Sequence, residues 1–267
     1  MLPYADYHMH TPLCGHAIGT PDEYTKQAIQ LGLKEIGFSD HAPMVHKPMP
    51  GITMTFDEQP KYNSMIEEVR EKYASQISIK IALETDFLPG YEAKTKSIID
   101  SFPYDYIIGS VHFIDGWAFD DPASRDYWNK CDVNDIYRKY YALLRQSAKT
   151  GFFQIIGHCD LPKKFGARAT VDLTDEIKAT AKVFKDTGVA VEINTAGLRK
   201  PIGEMYPAPQ CLKIYREAGV PLTFGSDAHA PQDVGKDFDK AVDLAKWAGY
   251  KDYLIFKNRQ IEKWIKL

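Results

Sequence analysis

The 267-residue sequence predicts a parallel α/β fold in which seven strands alternate with helices and form an incomplete or distorted barrel. Three observations predict it. Short apolar runs alternate with helix-period stretches, and no Pro/Gly/Ser-rich linker divides them. The connections between the runs are long, as parallel crossovers require and hairpins do not. Seven of the eight histidines lie just inside or just beyond the C-terminal ends of these runs, and Asp40, Glu84 and Asp227 share that location. A parallel barrel brings such strand ends to one mouth, so ligands distant in sequence can meet there. An open doubly wound sheet is the alternative, because strand order is not readable in the sequence.

In chain order, the predicted strand endings are Tyr4 to Tyr7, Glu35 to Ser39, Ile77 to Leu83, Asp105 to Gly109, Phe153 to Gly157, Val189 to Ile193 and Pro221 to Gly225. Their continuous apolar character suits strands buried on both faces. In the first helix, Thr20-Pro21-Asp22-Glu23 supplies an N-cap, a proline at the first helical position and an acid at the third. Tyr24, Ala28 and Leu31 then form an inner stripe, and Gly32 can end the helix. Further helical stretches are predicted around Glu58 to Ala74, Val133 to Lys149, Asp175 to Asp186, Pro209 to Ala218 and Asp237 to Trp247.

With 44% hydrophobic residues, the chain supports one large core, and residues 1–267 are expected to form a single catalytic domain. The net charge of -3 argues against a broad cationic surface for nucleic acid. Cys14, Cys131, Cys159 and Cys211 form no CxxC pair, which suits reduced thiols in a cytoplasmic protein, with Cys159 a small buried side chain. The N-terminus has no basic region followed by an apolar core, and no run is long enough for a membrane span. No membrane partner is expected.

His8 and His10 alternate along a strand end, so their rings share a face, and the Thr11-Pro12 turn can expose both. His16 lies on the same loop. In Ser39-Asp40-His41 the histidine suits a metal ligand, with Asp40 orienting a histidine or holding a water. His46, in the Pro-rich loop beyond, is assigned to the substrate entrance or the surface. Glu84 ends an apolar run, where an unpaired carboxylate would be costly, and its two oxygens could bridge two ions. Asp86 could lend support. His112 and His158 each follow an apolar run, with Asp160 orienting His158 or capping a turn, and Gly225-Ser226-Asp227-Ala228-His229 repeats the pattern. Each residue alone has a bland reading as a cap or a core polar group. Their recurrence at one kind of boundary points to a polynuclear metal site.

These segments together resemble the PHP superfamily of metal-dependent phosphoesterases, which also supplies nuclease-like domains of some bacterial DNA polymerases. The resemblance rests on Asp6-Tyr7-His8-Met9-His10-Thr11, Ser39-Asp40-His41, Glu84, Gly109-Ser110-Val111-His112, Gly157-His158-Cys159-Asp160 and Gly225-Ser226-Asp227-Ala228-His229. It implies a distorted seven-stranded (β/α)7 barrel of the PHP type holding three divalent metals, with zinc, iron or manganese all suited to histidine-rich ligation. By that resemblance one metal would take His8, His10, Glu84 and Asp227, and a second would share Glu84 and add His112 and His158. The third would take His16, His41 and His229. Such a site carries about +4 before water is counted, which attracts phosphate. The metals would activate a bridging water as nucleophile.

Glu84, Asp227, Arg168 and Arg199 form the expected catalytic set, the arginines clamping phosphate through planar donors. Lys164 and Lys200 are weaker alternatives for that role, and Glu192 and Asn194 could orient the loop after the sixth strand. The length and the Gly109 to Phe113 and Asn194 to Arg199 segments are similar to the histidinol-phosphate phosphatase group of this superfamily. That likeness implies a small phosphorylated partner, L-histidinol phosphate. A PHP-type exonuclease or nucleotide phosphoesterase is the second reading, weakened by the absence of a basic, aromatic nucleic-acid track. A noncatalytic metal-binding module is the third.

Overall fold

The computed structural model describes residues 5–267, so Tyr4, placed by the sequence in the first strand, lies outside the described residues. Its strands in chain order are β1 (Ala5–Asp6), β2 (Glu35–Phe38), β3 (Ser78–Asp86), β4 (Tyr106–Ser110), β5 (Phe113–Ile114), β6 (Trp117–Ala118), β7 (Ile155–Ile156), β8 (Ala190–Asn194), β9 (Leu222–Gly225), β10 (Asp252–Lys257) and β11 (Gln260–Lys266). Seven of them form one parallel sheet in the order β1-β2-β3-β4-β7-β8-β9. The first and last strands then meet. Tyr7 N–H donates to Phe224 O at 3.0 Å, Ala228 N–H donates to His8 O at 3.2 Å, and Met9 bridges Ala228 in parallel. The sheet therefore curls into a nearly closed barrel, and the open-sheet alternative falls.

Helices fill the crossovers: α1 (Pro21–Gln30), α2 (Gln59–Lys72), α3 (Glu92–Ile99), α4 (Val133–Lys149), α5 (Thr174–Thr187), α6 (Pro209–Glu217) and α7 (Phe238–Trp247). The expected capping box opens α1, with Thr20 Oγ1 accepting from Glu23 N–H and Glu23 accepting from Thr20 N–H at 2.7 Å. Tyr24 and Ala28 are buried as expected, and Gly32 takes a left-handed φ of 77° just past the helix. The strands are apolar because helices cover them outside and side chains fill the barrel inside; Ile36, Phe38, Ile81, Ile108, Ile155, Val191 and Phe224 are all fully buried.

Three elements were not anticipated. In α3 the buried residues are Thr95, Ile98 and Ile99, so its sequence carries no apolar stripe beyond the last turn. The β5–β6 hairpin turns at Asp115-Gly116, where both residues have positive φ (52° and 80°), the conformation favoured in two-residue hairpins. The β10–β11 hairpin turns likewise at Asn258-Arg259. It packs against the barrel beside the end of β1, β9 and the start of β4: Phe256 N–H donates to the Tyr7 hydroxyl at 3.0 Å, Thr223 Oγ1 to Leu254 O at 3.2 Å and Asn258 N–H to Asp105 at 3.3 Å. Among the described residues, no helix is long and apolar enough to cross a membrane.

Candidate metal centre

The histidines sit where each ladder ends and the chain leaves the sheet. His8 and His10 continue β1 on either side of Met9, His41 pairs with Glu84 as a parallel bridge beyond β2, and His112, His158 and Asp227 each lie two residues past their strands. Two of these turns hold non-glycine residues in left-handed backbone, His158 at φ 25° and Asp227 at φ 52°. Side chains seldom accept that conformation, and where they do the surrounding structure enforces it.

All nine expected ligand residues converge. Glu84 is the hub: its oxygens lie 2.9 Å from His158 Nε2, 2.9 Å from His41 Nδ1, 3.4 Å from His8 Nε2, 3.7 Å from His112 Nε2 and 3.8 Å from His10 Nε2. Asp227 Oδ1 lies 3.2 Å from His10 Nε2 and 3.9 Å from His8 Nε2. Ligand atoms lie within 4.8 Å of one another in the sets His8/His10/Asp227, Glu84/His112/His158 and His10/His41/His229. His16 groups instead with His229 and Cys14, its ring 5.4 Å from that of His41. The expected His16, His41 and His229 are thus adjacent without forming one compact triad.

The orientation of the rings explains what the site can hold. His8 Nδ1 donates to Glu192 at 2.9 Å, His10 Nδ1 to Asp40 at 3.3 Å and His112 Nδ1 to Asp86 at 3.0 Å. His16 Nδ1 donates to Cys14 O and His229 Nδ1 to Asp227 O, each at 3.1 Å. In the neutral rings Nδ1 carries the proton, and each Nε2 is left as a lone pair facing inward. His16 Nε2 and His229 Nε2 face each other at 3.0 Å, and the buried His8 Nε2 and His10 Nε2 have no hydrogen-bond partner. Opposed lone pairs repel unless a cation lies among them, so this donor set fits divalent metal. Asp40 is itself fixed by the Thr11 hydroxyl and by His41 N–H at 2.8 Å, and Ser110 Oγ donates to Glu84 at 2.6 Å.

The electrostatics agree. Burial alone would raise the Glu84 carboxyl, but His41, His8 and His112 hold it well below the usual carboxylate range. Burial and the neighbouring His41 and His10 press His16 down to about 4, so its imidazole is neutral near pH 7. His10 and His112 go the other way: burial works against their charge, yet nearby carboxylates raise them to about 9 and about 10.

The centre opens into a cavity of about 670 Å³ lined by His16, His41, His112, His158, Asp227 and His229 on one side and by apolar groups such as Phe113 and Phe165 on another. Its cations are Lys164 and Lys200. The two arginines expected to clamp phosphate do not line it. Arg168 is half-exposed and paired with Glu204 at 3.4 Å, and Arg199 donates to Ser226 O at 2.6 Å from behind Asp227. Asp160 neither orients His158 nor caps with its side chain: it pairs with buried Lys163 at 2.8 Å and accepts from Ala208 N–H at 2.7 Å. His46 is half-buried and packs edge-on to Phe113 with ring centroids 5.2 Å apart, so it backs the cavity wall rather than opening onto the entrance.

Glu192, expected from the sequence only to orient the loop after the sixth strand, contacts His8 directly. Its signal was an acid flanked by Val191 and Ile193 in a strand buried on both faces.

A parallel barrel whose strand ends aim imidazole lone pairs and two carboxylates at one point defines a class of metal-binding barrel protein. A profile of the PHP domain matches residues 6–196, and the chain belongs to that family. It is 39% identical over 262 residues to a probable histidinol-phosphatase of Deinococcus radiodurans, covering 98% of this chain and 100% of that protein. Identity to a histidinol-phosphatase of Bacillus subtilis is 28% over 258 residues, covering 88% of this chain and 96% of the relative. A solved histidinol phosphate phosphatase of Lactococcus lactis, in complex with zinc, L-histidinol and phosphate, superimposes with a TM-score of 0.85 at 24% identity, covering 98% of this chain and 100% of that one. The shared fold is the PHP-type (β/α)7 barrel.

Proposed function

We propose that this chain is a metal-dependent phosphomonoesterase that hydrolyses L-histidinol phosphate to L-histidinol and inorganic phosphate. The inward-facing Nε2 lone pairs of His8, His10, His16, His112 and His229 carry the metal dependence. End-to-end similarity to the histidinol-phosphatase of Deinococcus radiodurans supports the substrate. The proposed ligands are His8, His10, Glu84 and Asp227 for one ion, Glu84, His112 and His158 for a second, and His16, His41 and His229 for a third. Zinc is the ion in the Lactococcus lactis complex, and iron and manganese suit the same donors. Bound divalent metal supplies Lewis acidity, polarising phosphate oxygens and making water nucleophilic at neutral pH.

The chain's own groups then position the reactants. Glu84 and Asp227 set the negative charge of the centre, and Lys164 and Lys200 face the phosphate from the cavity wall. Arg199 steadies the backbone of Ser226 and Asp227 from behind, and Arg168 joins the phosphate only on leaving Glu204. Water oxygen bonds to phosphorus as the ester P–O bond breaks. Cys159 and Ser226 are not proposed as nucleophiles: both are fully buried, the thiol directed at Ile156 O and the hydroxyl at His8 O. Residues 1–267 are proposed to act as one catalytic unit, and four free cysteines fit the cytoplasmic location proposed with it.

The test is hydrolysis by protein reconstituted with zinc, iron(II) or manganese, on histidinol phosphate, simple phosphomonoesters, nucleotides and short single-stranded DNA. Highest kcat/KM is expected on histidinol phosphate and no turnover after chelation. Efficient DNA digestion without activity on histidinol phosphate would turn the assignment to a nuclease, and inactivity with all metals bound would leave a binding module.

A further inference from the structure

We infer that Asp120 is the subsite for the ammonium group of the substrate and so sets the preference for an amino-bearing phosphomonoester, an inference that rests on the function proposed above. The acids lining the cavity are Glu84, Asp86, Asp120, Asp121 and Asp227. Four of them are committed. Glu84 and Asp227 face the histidines, Asp86 accepts from His112 Nδ1, and Asp121 accepts from Ala123 N–H at 2.8 Å as the cap of a short helix. Asp120 remains. Among the described residues the one hydrogen-bond partner of its side chain is Lys164, whose Nζ lies 3.0 Å from Asp120 Oδ2 and 2.8 Å from Asp120 O.

Position and charge both suit this role. Burial raises the Asp120 carboxyl, but the charge facing it, Lys164 above all, holds it below the usual carboxylate range. Asp120 lines the same cavity as His112, His158 and Lys164. In L-histidinol phosphate the ammonium-bearing carbon is one methylene from the ester oxygen, so its subsite must adjoin the phosphate site. The substrate thus presents an anion and a cation a few bonds apart. Lys164 and Asp120 present the opposite pair side by side, 3.0 Å apart, and phosphate drawn to Lys164 leaves Asp120 to the ammonium. Phe113, Leu161 and Phe165 offer the apolar surface beside them for the imidazole-bearing arm.

The experiment compares kcat/KM for L-histidinol phosphate with that for its desamino analogue, in the wild type and in Asp120→Asn, with metal content and circular dichroism measured on each. The wild-type preference for the amino substrate should fall by about 10- to 100-fold in the variant, the range for losing a charge-assisted contact. Inhibition by L-histidinol should weaken alongside, while inhibition by inorganic phosphate should change little. An unchanged preference, or equal losses on both substrates, would overturn the inference; Asp120→Ser serves if the amide variant misfolds. If the wild type turns over histidinol phosphate no better than p-nitrophenyl phosphate, the proposed function itself fails. The preference is then read on phosphoethanolamine against ethyl phosphate, where the same two outcomes decide for or against Asp120.

Discussion

Glu192 is a carboxylate with 1% of its surface exposed, and each of its contacts is a donor. His8 Nδ1 approaches at 2.9 Å, His158 N–H at 2.9 Å and Asn194 Nδ2 at 2.8 Å. The space for it is made by glycine: a Cβ at Gly225 would stand 2.5 Å from Glu192 Oε2 and 2.6 Å from His8 Cβ. Gly225 is therefore dictated by close approach, and the acid it admits fixes the tautomer of His8. Glu192→Gln substitutes an amide that cannot accept at both oxygens, so the ring loses its fixed orientation. Zinc affinity, measured by competition with a chelator, should fall about 10- to 100-fold with the fold intact by circular dichroism. Wild-type affinity in the variant would remove Glu192 from the positioning of His8.

At the scale of elements, the β10–β11 hairpin is tied to the barrel through Lys80. Its side chain is 6% exposed, and its ammonium lies 3.3 Å from Glu35 and 2.7 Å from Glu262 on β11, while the Tyr7 hydroxyl also donates to Glu35. Glu35 is buried, so Lys80→Ala strands its charge and should destabilise the protein by about 3–5 kcal/mol in urea denaturation. Glu262→Gln, at the half-exposed end, should cost about 1 kcal/mol or less. Equal effects of the two would mean that the hairpin, not Glu35, depends on Lys80. This hairpin was not legible in the sequence because its outer strand buries almost nothing: every residue of Gln260–Lys266 except Ile265 is exposed, Ile261 and Trp264 included, so no regular apolar alternation marks it. The barrel strands were legible because burial on both faces leaves continuous apolar runs, and their histidine ends followed from that. What pairs with each histidine was less so, since Asp86 and Glu192 meet His112 and His8 only after the strands have taken their order.

For the whole molecule, the histidines couple metal to protons. In the metal-free protein His10 is raised to about 9 and His112 to about 10, above the ordinary value of about 6.5. Their contribution to stability is full below about 6.5 and is lost as pH rises through those folded values. A metal ligand must be neutral, so zinc uptake at neutral pH should expel protons, and zinc affinity should climb as pH approaches 9 to 10. Calorimetry of zinc binding in two buffers of different ionisation enthalpy measures the release; none at neutral pH would contradict the raised values. The seam between β1 and β9 has a consequence for synthesis. Asp6 accepts from Ser226 N–H across 220 residues of chain, beside the pairing that brings His8 and His10 to Asp227 and His229. A growing polypeptide displays its first histidines long before the ribosome has made the residues that enclose them. Chains terminated ahead of β9 lack both the closing partner of β1 and the last of the proposed ligands, so firm retention of metal is expected only of a polypeptide translated past His229.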